Sequence, residues 1–175
     1  MYIDGARIGS ALVSEHADFT LEDIADFADA FFIGGTKNGA LFGEAIVLVN
    51  DDLKHNYRYA LKQRGFLLAK GAVLGIQFTE LFKDNLFFDL ACHADSMARK
   101  LVKALQDYGA DFRTPPQTNM IFPVLPLDVV EKLEKNFNFY RWSGKQEDKV
   151  CIRLLTSWAT PESDVNAFAG ALEKL

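Results

Sequence analysis

The chain has 175 residues, of which 49% are hydrophobic and 25% charged, with 12 Gly and 5 Pro. That apolar content can fill a packed core, which excludes disordered, collagenous and low-complexity classes. Lys and Arg number 19 against 24 Asp and Glu, a net charge of -5, and no basic run or RNP-like aromatic motif argues for nucleic acid as a main partner.

The apolar stretches are broken by polar residues well short of the roughly 20 residues that span a membrane, and no signal peptide is present. Two cysteines, Cys92 and Cys151, make neither a metal spacing nor a disulfide framework and read as small core hydrophobes, consistent with a reducing cytoplasm. The length suits one domain, or one plus a small partner.

In chain order, Tyr2-Ile3 reads as the end of a buried strand that runs directly into Asp4-Gly5-Ala6-Arg7. Domains seldom begin on such a strand, so the start reads as that of a fragment or of a late Met1. Thr20 caps a first helix, with Glu22 and Asp23 at its positive end and Leu21, Ile24, Ala25 and Ala28 at helical spacing. Phe31-Phe32-Ile33 predicts a buried strand closed by Gly34-Gly35, and Glu44 to Asn50 a second. Between them lies Gly35-Thr36-Lys37-Asn38-Gly39.

From Asp51 to about Tyr108 the pattern is helical. Leu86, Leu90, Ala94, Met97, Leu101, Leu105 and Tyr108 make one apolar stripe, which Gly109 ends. Phe66 to Phe82 is apolar on nearly all sides and is expected to be buried in a core or an interface. Thr114-Pro115-Pro116 marks a boundary. Beyond it the pattern predicts strand Asn119–Leu125, helix Leu127–Asn136, strands Phe139–Ser143 and Val150–Thr156, and a helix after Pro161. These three strands and two helices make a small α/β sandwich.

Three polar groups stand at or near the ends of buried strands, where open α/β sheets gather their ligand sites. Asp4 with Arg7 reads either as a turn with a surface ion pair or as a carboxylate holding a cation such as a protonated ring N–H. Lys37 is either an ordinary turn residue or an amine that the glycines hold over a pocket, away from bulk water, as a nucleophile able to form a Schiff base. A phosphate-loop reading fails, because the order is Gly-Thr-Lys and the upstream Gly is missing. Arg153, flanked by Val150, Ile152, Leu154 and Leu155, is expected to pair with a carboxylate of the protein or of a substrate if its strand is buried on both faces. His16, His55 and His93 are dispersed, and His93 reads as a core-edge residue. No metal-ligand set is read. Lys62, Arg64 and Lys70 are a solvated helix face or phosphate contacts.

Taken together, Tyr2 to Leu12 around Asp4 and Arg7, Phe31 to Glu44 around Thr36-Lys37-Asn38-Gly39, and Ile152-Arg153-Leu154-Leu155-Thr156-Ser157-Trp158 resemble the low-specificity threonine aldolases, pyridoxal-phosphate-dependent members of the β-eliminating lyase group. The resemblance covers essentially the whole chain but only the carboxyl-terminal half of a family member. It implies an α/β fold, the carboxyl-terminal portion of a fold-type-I, aspartate-aminotransferase-like enzyme with a small C-terminal α/β sandwich domain. Residues 1–50 would end the large cofactor-binding domain, 51–110 would be a helical connector and interface, and 111–175 the small domain.

The resemblance also implies roles. Lys37 would bind pyridoxal 5'-phosphate covalently, and Asp4 would keep its ring nitrogen protonated. Thr36 and Lys62 would add cofactor contacts, and Arg7 and Arg153 would hold the substrate carboxylate. Just after Lys62 the run Arg64-Gly65-Phe66-Leu67-Leu68-Ala69-Lys70 departs from the family's glycine-rich pattern. The implied activity is cleavage of a β-hydroxy amino acid, threonine or allo-threonine, to glycine and acetaldehyde, by a cytoplasmic homo-oligomer, dimer or tetramer. With the family's phosphate loop upstream and absent, this polypeptide alone is expected to bind cofactor poorly and show little or no aldolase activity. Two alternatives are a non-catalytic fragment or dimerisation module built on Phe66–Phe82, and a sister β-eliminating lyase acting on an aromatic amino acid.

Overall fold

The computed structural model describes residues 1–142 and 148–175. It divides into two compact units, one of Met1–Val13 with Ala17–Ala91 and one of Ser14–His16 with Cys92–Leu175.

The first unit is built on a three-stranded mixed sheet. Strand β1 (Tyr2–Ile3) leads to helix α1 (Ile8–Val13), helix α2 (Leu21–Phe27), strand β2 (Ala30–Gly34) and strand β3 (Glu44–Leu48). β1 pairs parallel to β2, and β2 pairs antiparallel to β3. Helix α2 begins where the sequence predicts: the Thr20 hydroxyl accepts from the Asp23 N–H at 3.2 Å, while the Asp23 carboxylate accepts from the Thr20 N–H at 2.7 Å. This reciprocal capping box satisfies two helix-end donors at once. Helices α3 (Tyr57–Gln63) and α4 (Ala72–Phe82) follow, and α5 (Leu86–Tyr108) starts in this unit. Ile8, Ile24, Phe31, Ile33, Leu81 and Phe87 form its core. Phe87 is fully buried, stacked on Phe82 at 4.9 Å and edge-on to Phe88 at 5.5 Å.

One expectation changes here. The buried stripe of α5 begins at Phe87 and Ala91, with Leu86 left 42% exposed, while Ala94, Met97, Leu101 and Leu105 are buried as expected. The segment expected to be buried in a core or an interface contributes little to this unit's core and stands largely open within the chain. Phe66, Leu68, Val73 and Ile76 are exposed, and α4 buries only Leu81. An all-round apolar helix offers one face to its own core, and among the described residues the opposite face has no cover.

The second unit holds a five-stranded antiparallel sheet where the sequence suggests three strands. Its strands are β4 (Asp111–Phe112), β5 (Met120–Ile121), β6 (Pro123–Pro126), β7 (Tyr140–Arg141) and β8 (Lys149–Leu155), with β8 pairing β5, β6 and β7. The predicted Asn119–Leu125 strand is split between β5 and β6. The predicted strand to Ser143 is described only as β7, since Ser143 lies outside the described residues. Helix α6 (Leu127–Leu133) is shorter than expected, and α7 (Glu162–Leu172) follows Pro161 as predicted.

Met97, Leu101 and Leu105 of α5, Val129, Val130 and Leu133 of α6, and Val165, Phe168 and Leu172 of α7 pack with Ile121, Leu125, Val150, Ile152 and Leu154. Each such side chain contributes roughly 1.5–3 kcal/mol on burial. His93 sits half-buried at the edge, its Nε2 2.8 Å from the Thr160 carbonyl. Cys151 is buried as expected, whereas Cys92 is exposed, one position off the α5 stripe. Among the described residues no helix is long and apolar enough to cross a membrane, and no three metal-ligating side chains gather.

Candidate functional site

Parallel pairing brings the carboxyl ends of β1 and β2 to one sheet edge, with Tyr2 opposite Ala30 and Ile3 opposite Phe31. The two exits then touch backbone to backbone: the Gly34 N–H donates to the Gly5 carbonyl at 2.9 Å. A Cβ on Gly5 would stand 1.7 Å from the Phe32 carbonyl oxygen, and one on Gly34 would stand 2.5 Å from that of Ala6. Only glycine permits this approach. Asp4 and the loop carrying Thr36 and Lys37 therefore leave the sheet side by side.

Asp4 is exposed, and its Oδ1 accepts from the Ala6 N–H at 3.0 Å. The side chain folds over its own turn, as Asp does in an Asx-turn. Arg7 is half-buried in the turn that opens α1, and its carbonyl accepts from Ala11 at 3.2 Å.

The loop after β2 is pinned at several points. The Gly35 N–H donates to Glu44 Oε2 at 2.7 Å, and the Gly35 carbonyl accepts from the N–H groups of Asn38 and Ala40 at 2.9 and 3.0 Å. Buried Asn38 donates through Nδ2 to the Phe87 carbonyl at 2.7 Å. Gln77, on α4, accepts from the Leu41 N–H at 2.8 Å and donates to the Phe42 carbonyl at 3.1 Å. Thr36 donates its hydroxyl to the Gly43 carbonyl at 3.3 Å. Each satisfied backbone group removes an alternative loop conformation.

Lys37 itself is exposed. The sequence expectation of an amine held away from bulk water is not met within this chain, because Gly35 and Asn38 take the inward positions and leave Lys37 outside. Lys62 lies in the last turn of α3 and is exposed with Arg64 and Lys70. Among the described residues no hydrogen bond or ion pair joins Lys62 to Asp4 or Lys37.

Arg153 belongs to the second unit. Strand alternation turns Val150, Ile152 and Leu154 into the helical core, which leaves Arg153 on the opposite sheet face. This explains a charge inside an apolar run: on that face Cys151 is buried, Arg153 half-buried and Leu155 exposed. Its guanidinium lies over Tyr140, 4.8 Å from the ring centroid, and over Trp142, 5.2 Å away. It makes no ion pair or hydrogen bond with any described residue, and its Nε is buried without an acceptor. An orphaned donor of this kind costs about 1–3 kcal/mol, more for a charged group. Beyond it opens a cleft of about 510 Å³ lined in part by Asn138, Phe139, Tyr140, Arg153 and Leu155.

Sequence reasoning missed Asn38, Glu44 and Gln77 as anchors of the loop, and Tyr140 and Trp142 beside Arg153. The period-2 spacing of Tyr140 and Trp142 could have signalled one shared strand face. Nothing in the sequence links Gln77 to a loop 36 residues upstream.

No protein-family model matches the chain. Two curated proteins named low specificity L-threonine aldolase are similar to it, one from Pseudomonas aeruginosa (29% identical over 171 residues) and one from Pseudomonas sp. (30% over 174 residues). Each match covers 97% of this chain and 48% of the relative. Among solved structures, threonine aldolase from Leishmania major superposes with a TM-score of 0.96 at 44% identity, over 99% of this chain and 51% of that one. Serine palmitoyltransferase from Sphingomonas wittichii shares the fold alone, at TM-score 0.66 and 17% identity over 99% of this chain and 46% of that one. The chain thus spans about half the length of the relatives it matches. By sequence and by fold the chain is similar to part of the threonine aldolases, and its α/β fold is also that of serine palmitoyltransferase.

Proposed function

We propose that this chain carries residues of a pyridoxal-phosphate-dependent carbon–carbon lyase that cleaves threonine or allo-threonine to glycine and acetaldehyde. The observation that carries the proposal is the glycine-to-glycine contact at the ends of β1 and β2, which brings the Asp4 turn and the Lys37 loop to one edge. Support also comes from the threonine aldolase relatives and from the fold shared with an SPT solved with PLP (TM-score 0.61, 13% identity).

The residue types fit the group. Lys37 offers an amine for its aldehyde carbon, and Asp4 a carboxylate for its ring nitrogen. Bound pyridoxal phosphate would supply an electron-accepting ring for the carbanion left when Cα–Cβ breaks. Asp4 then serves by holding a proton on the ring nitrogen as its counter-charge. Arg153, with donors unspent, is the proposed group for the substrate carboxylate, the role the resemblance also implies for Arg7. Thr36 and Lys62 are further candidates for cofactor contact.

The protein is read as a cytoplasmic homo-oligomer, supported by the exposed apolar face of α4 and the preceding loop, where Phe66, Val73 and Ile76 need cover. By itself the chain should hold the cofactor weakly, since Lys37 and Asp4 are exposed here.

Borohydride reduction of the chain incubated with pyridoxal phosphate, followed by peptide mass spectrometry, tests the assignment. The expected result is a weak label selective for Lys37 over the exposed Lys62 and Lys70, lost in Lys37→Ala. A label spread evenly over surface lysines refutes it. In a protein of full family length, Lys37→Ala should abolish release of glycine and acetaldehyde.

A further inference from the structure

Two arginines on neighbouring strands are immobilised in opposite ways. Arg141 of β7 spends its Nε and Nη2 donors on Glu134, at 2.7 and 2.6 Å. That fork holds the guanidinium and leaves little for a ligand. Arg153 of β8 spends no donor on any described residue, and its Nε is buried without an acceptor. What touches its guanidinium is aromatic: Tyr140 at 4.8 Å and Trp142 at 5.2 Å.

Both rings are presented by the strand edge. Tyr140 pairs directly opposite Arg153, and the Trp142 N–H donates to the Cys151 carbonyl at 2.8 Å. Trp142 is backed in turn by Phe122, with centroids 5.2 Å apart. Arg141, between the two, is on the other side of the pleat, where the Glu134 fork anchors the strand.

We propose that Tyr140 and Trp142 are positioning residues, which orient the Arg153 guanidinium for an incoming carboxylate without consuming its N–H donors. The proposal rests on the reading of Arg153 as the carboxylate-binding group and names what holds it. The physical logic is that a ring face attracts a guanidinium through its quadrupole and restricts its rotamers, while the in-plane donors stay available. A protein carboxylate in the same place would satisfy those donors and compete with substrate. The cleft of about 510 Å³ that Tyr140 and Arg153 help line gives a small carboxylate room to arrive.

The test uses the 15N-labelled chain, with the Arg153 Nε–Hε signal identified by its loss in Arg153→Lys. Sodium acetate is titrated in at constant ionic strength. The expected result is a saturable shift of that signal. Tyr140→Leu and Trp142→Leu should each weaken acetate binding about tenfold and speed rotation of the guanidinium, while Tyr140→Phe and Trp142→Phe stay within about threefold of the parent. Unchanged backbone spectra show that the Leu variants are folded, and should one unfold, Phe variants as weak as Arg153→Lys would overturn the proposal. Equal acetate affinity in the parent and the Leu variants overturns the positioning role and leaves Arg153 as a carboxylate site. No acetate response of Arg153 in the parent chain overturns the carboxylate reading and the proposal with it.

Discussion

In the second unit, Leu105, Ile121, Leu125, Leu133, Ile152 and Leu172 are sealed between a five-stranded sheet and three helices. In the first unit, a three-stranded sheet supports a smaller core, and Phe27, Leu41, Tyr59, Phe66, Leu68, Val73 and Ile76 stand exposed. The candidate residues divide the same way. Arg153 sits on a strand paired on both sides and is held by its neighbours' rings, so a well-covered sheet defines it. Lys37 sits on a loop whose shape comes from glycine contacts and from hydrogen bonds of Gly35 to Glu44, of Asn38 to Phe87 and of Leu41 to Gln77, while Lys37 itself remains open. A loop can thus be locally ordered beside an apolar face that still needs a cover.

The contrast can be broken most forcefully at Phe87. Phe87→Ala should cost about 3–5 kcal/mol, because it empties the best-packed position of the first unit. Hydrogen exchange at β2 amides reads this directly, and a loss below about 1 kcal/mol would show that the smaller core does not depend on it. Asn38→Ala comes next, at about 0.5–1.5 kcal/mol, since it removes the buried side-chain hydrogen bond to the Phe87 carbonyl. Its sharper signature is faster exchange at Ala40, whose N–H closes the Lys37 turn; an unmoved Ala40 would mean that the turn does not need this anchor.

Lys37→Ala should change stability by less than about 0.5 kcal/mol in urea unfolding, as befits an exposed loop side chain. A larger loss would make it structural. The smallest effect concerns the second unit. The Arg141 hydrogen bonds hold the Glu134 carboxyl below its usual range. A depressed folded-state pKa contributes stability that is present above the ordinary glutamate range and is lost as pH falls through the lowered value. The pair is partly exposed, so this contribution is modest. A carboxyl-carbon titration by NMR should show Glu134 moving back up in Arg141→Met; an unchanged midpoint would remove the fork as its cause.

Much of the fold was legible because its signals are local. Thr20 with Asp23, the Phe31 to Gly34 run, Gly109 after the long helix and Pro161 before the last one each act within a turn or two. The resemblance to threonine aldolases, carried by short runs around Asp4, Lys37 and Arg153, is matched by relatives and by a superposable structure. Less legible were properties that depend on partners distant in sequence. Phe87 in place of Leu86 opens the buried face of α5, where it packs on Phe82 and Phe88. The apolar run from Phe66 to Phe82 specified a wish for burial without specifying what would provide it.

By itself, then, the sequence determined where helices α2 and α7 begin, which stretches are apolar, and which polar residues interrupt them, since capping, periodicity and turn chemistry act over a few residues. Only the tertiary structure decided that Gly5 meets Gly34, that Gln77 braces the Lys37 loop, and that Arg153 faces away from the core toward Tyr140 and Trp142. Those outcomes follow from strand pairing and register, which select among faces and neighbours that the local sequence leaves equivalent.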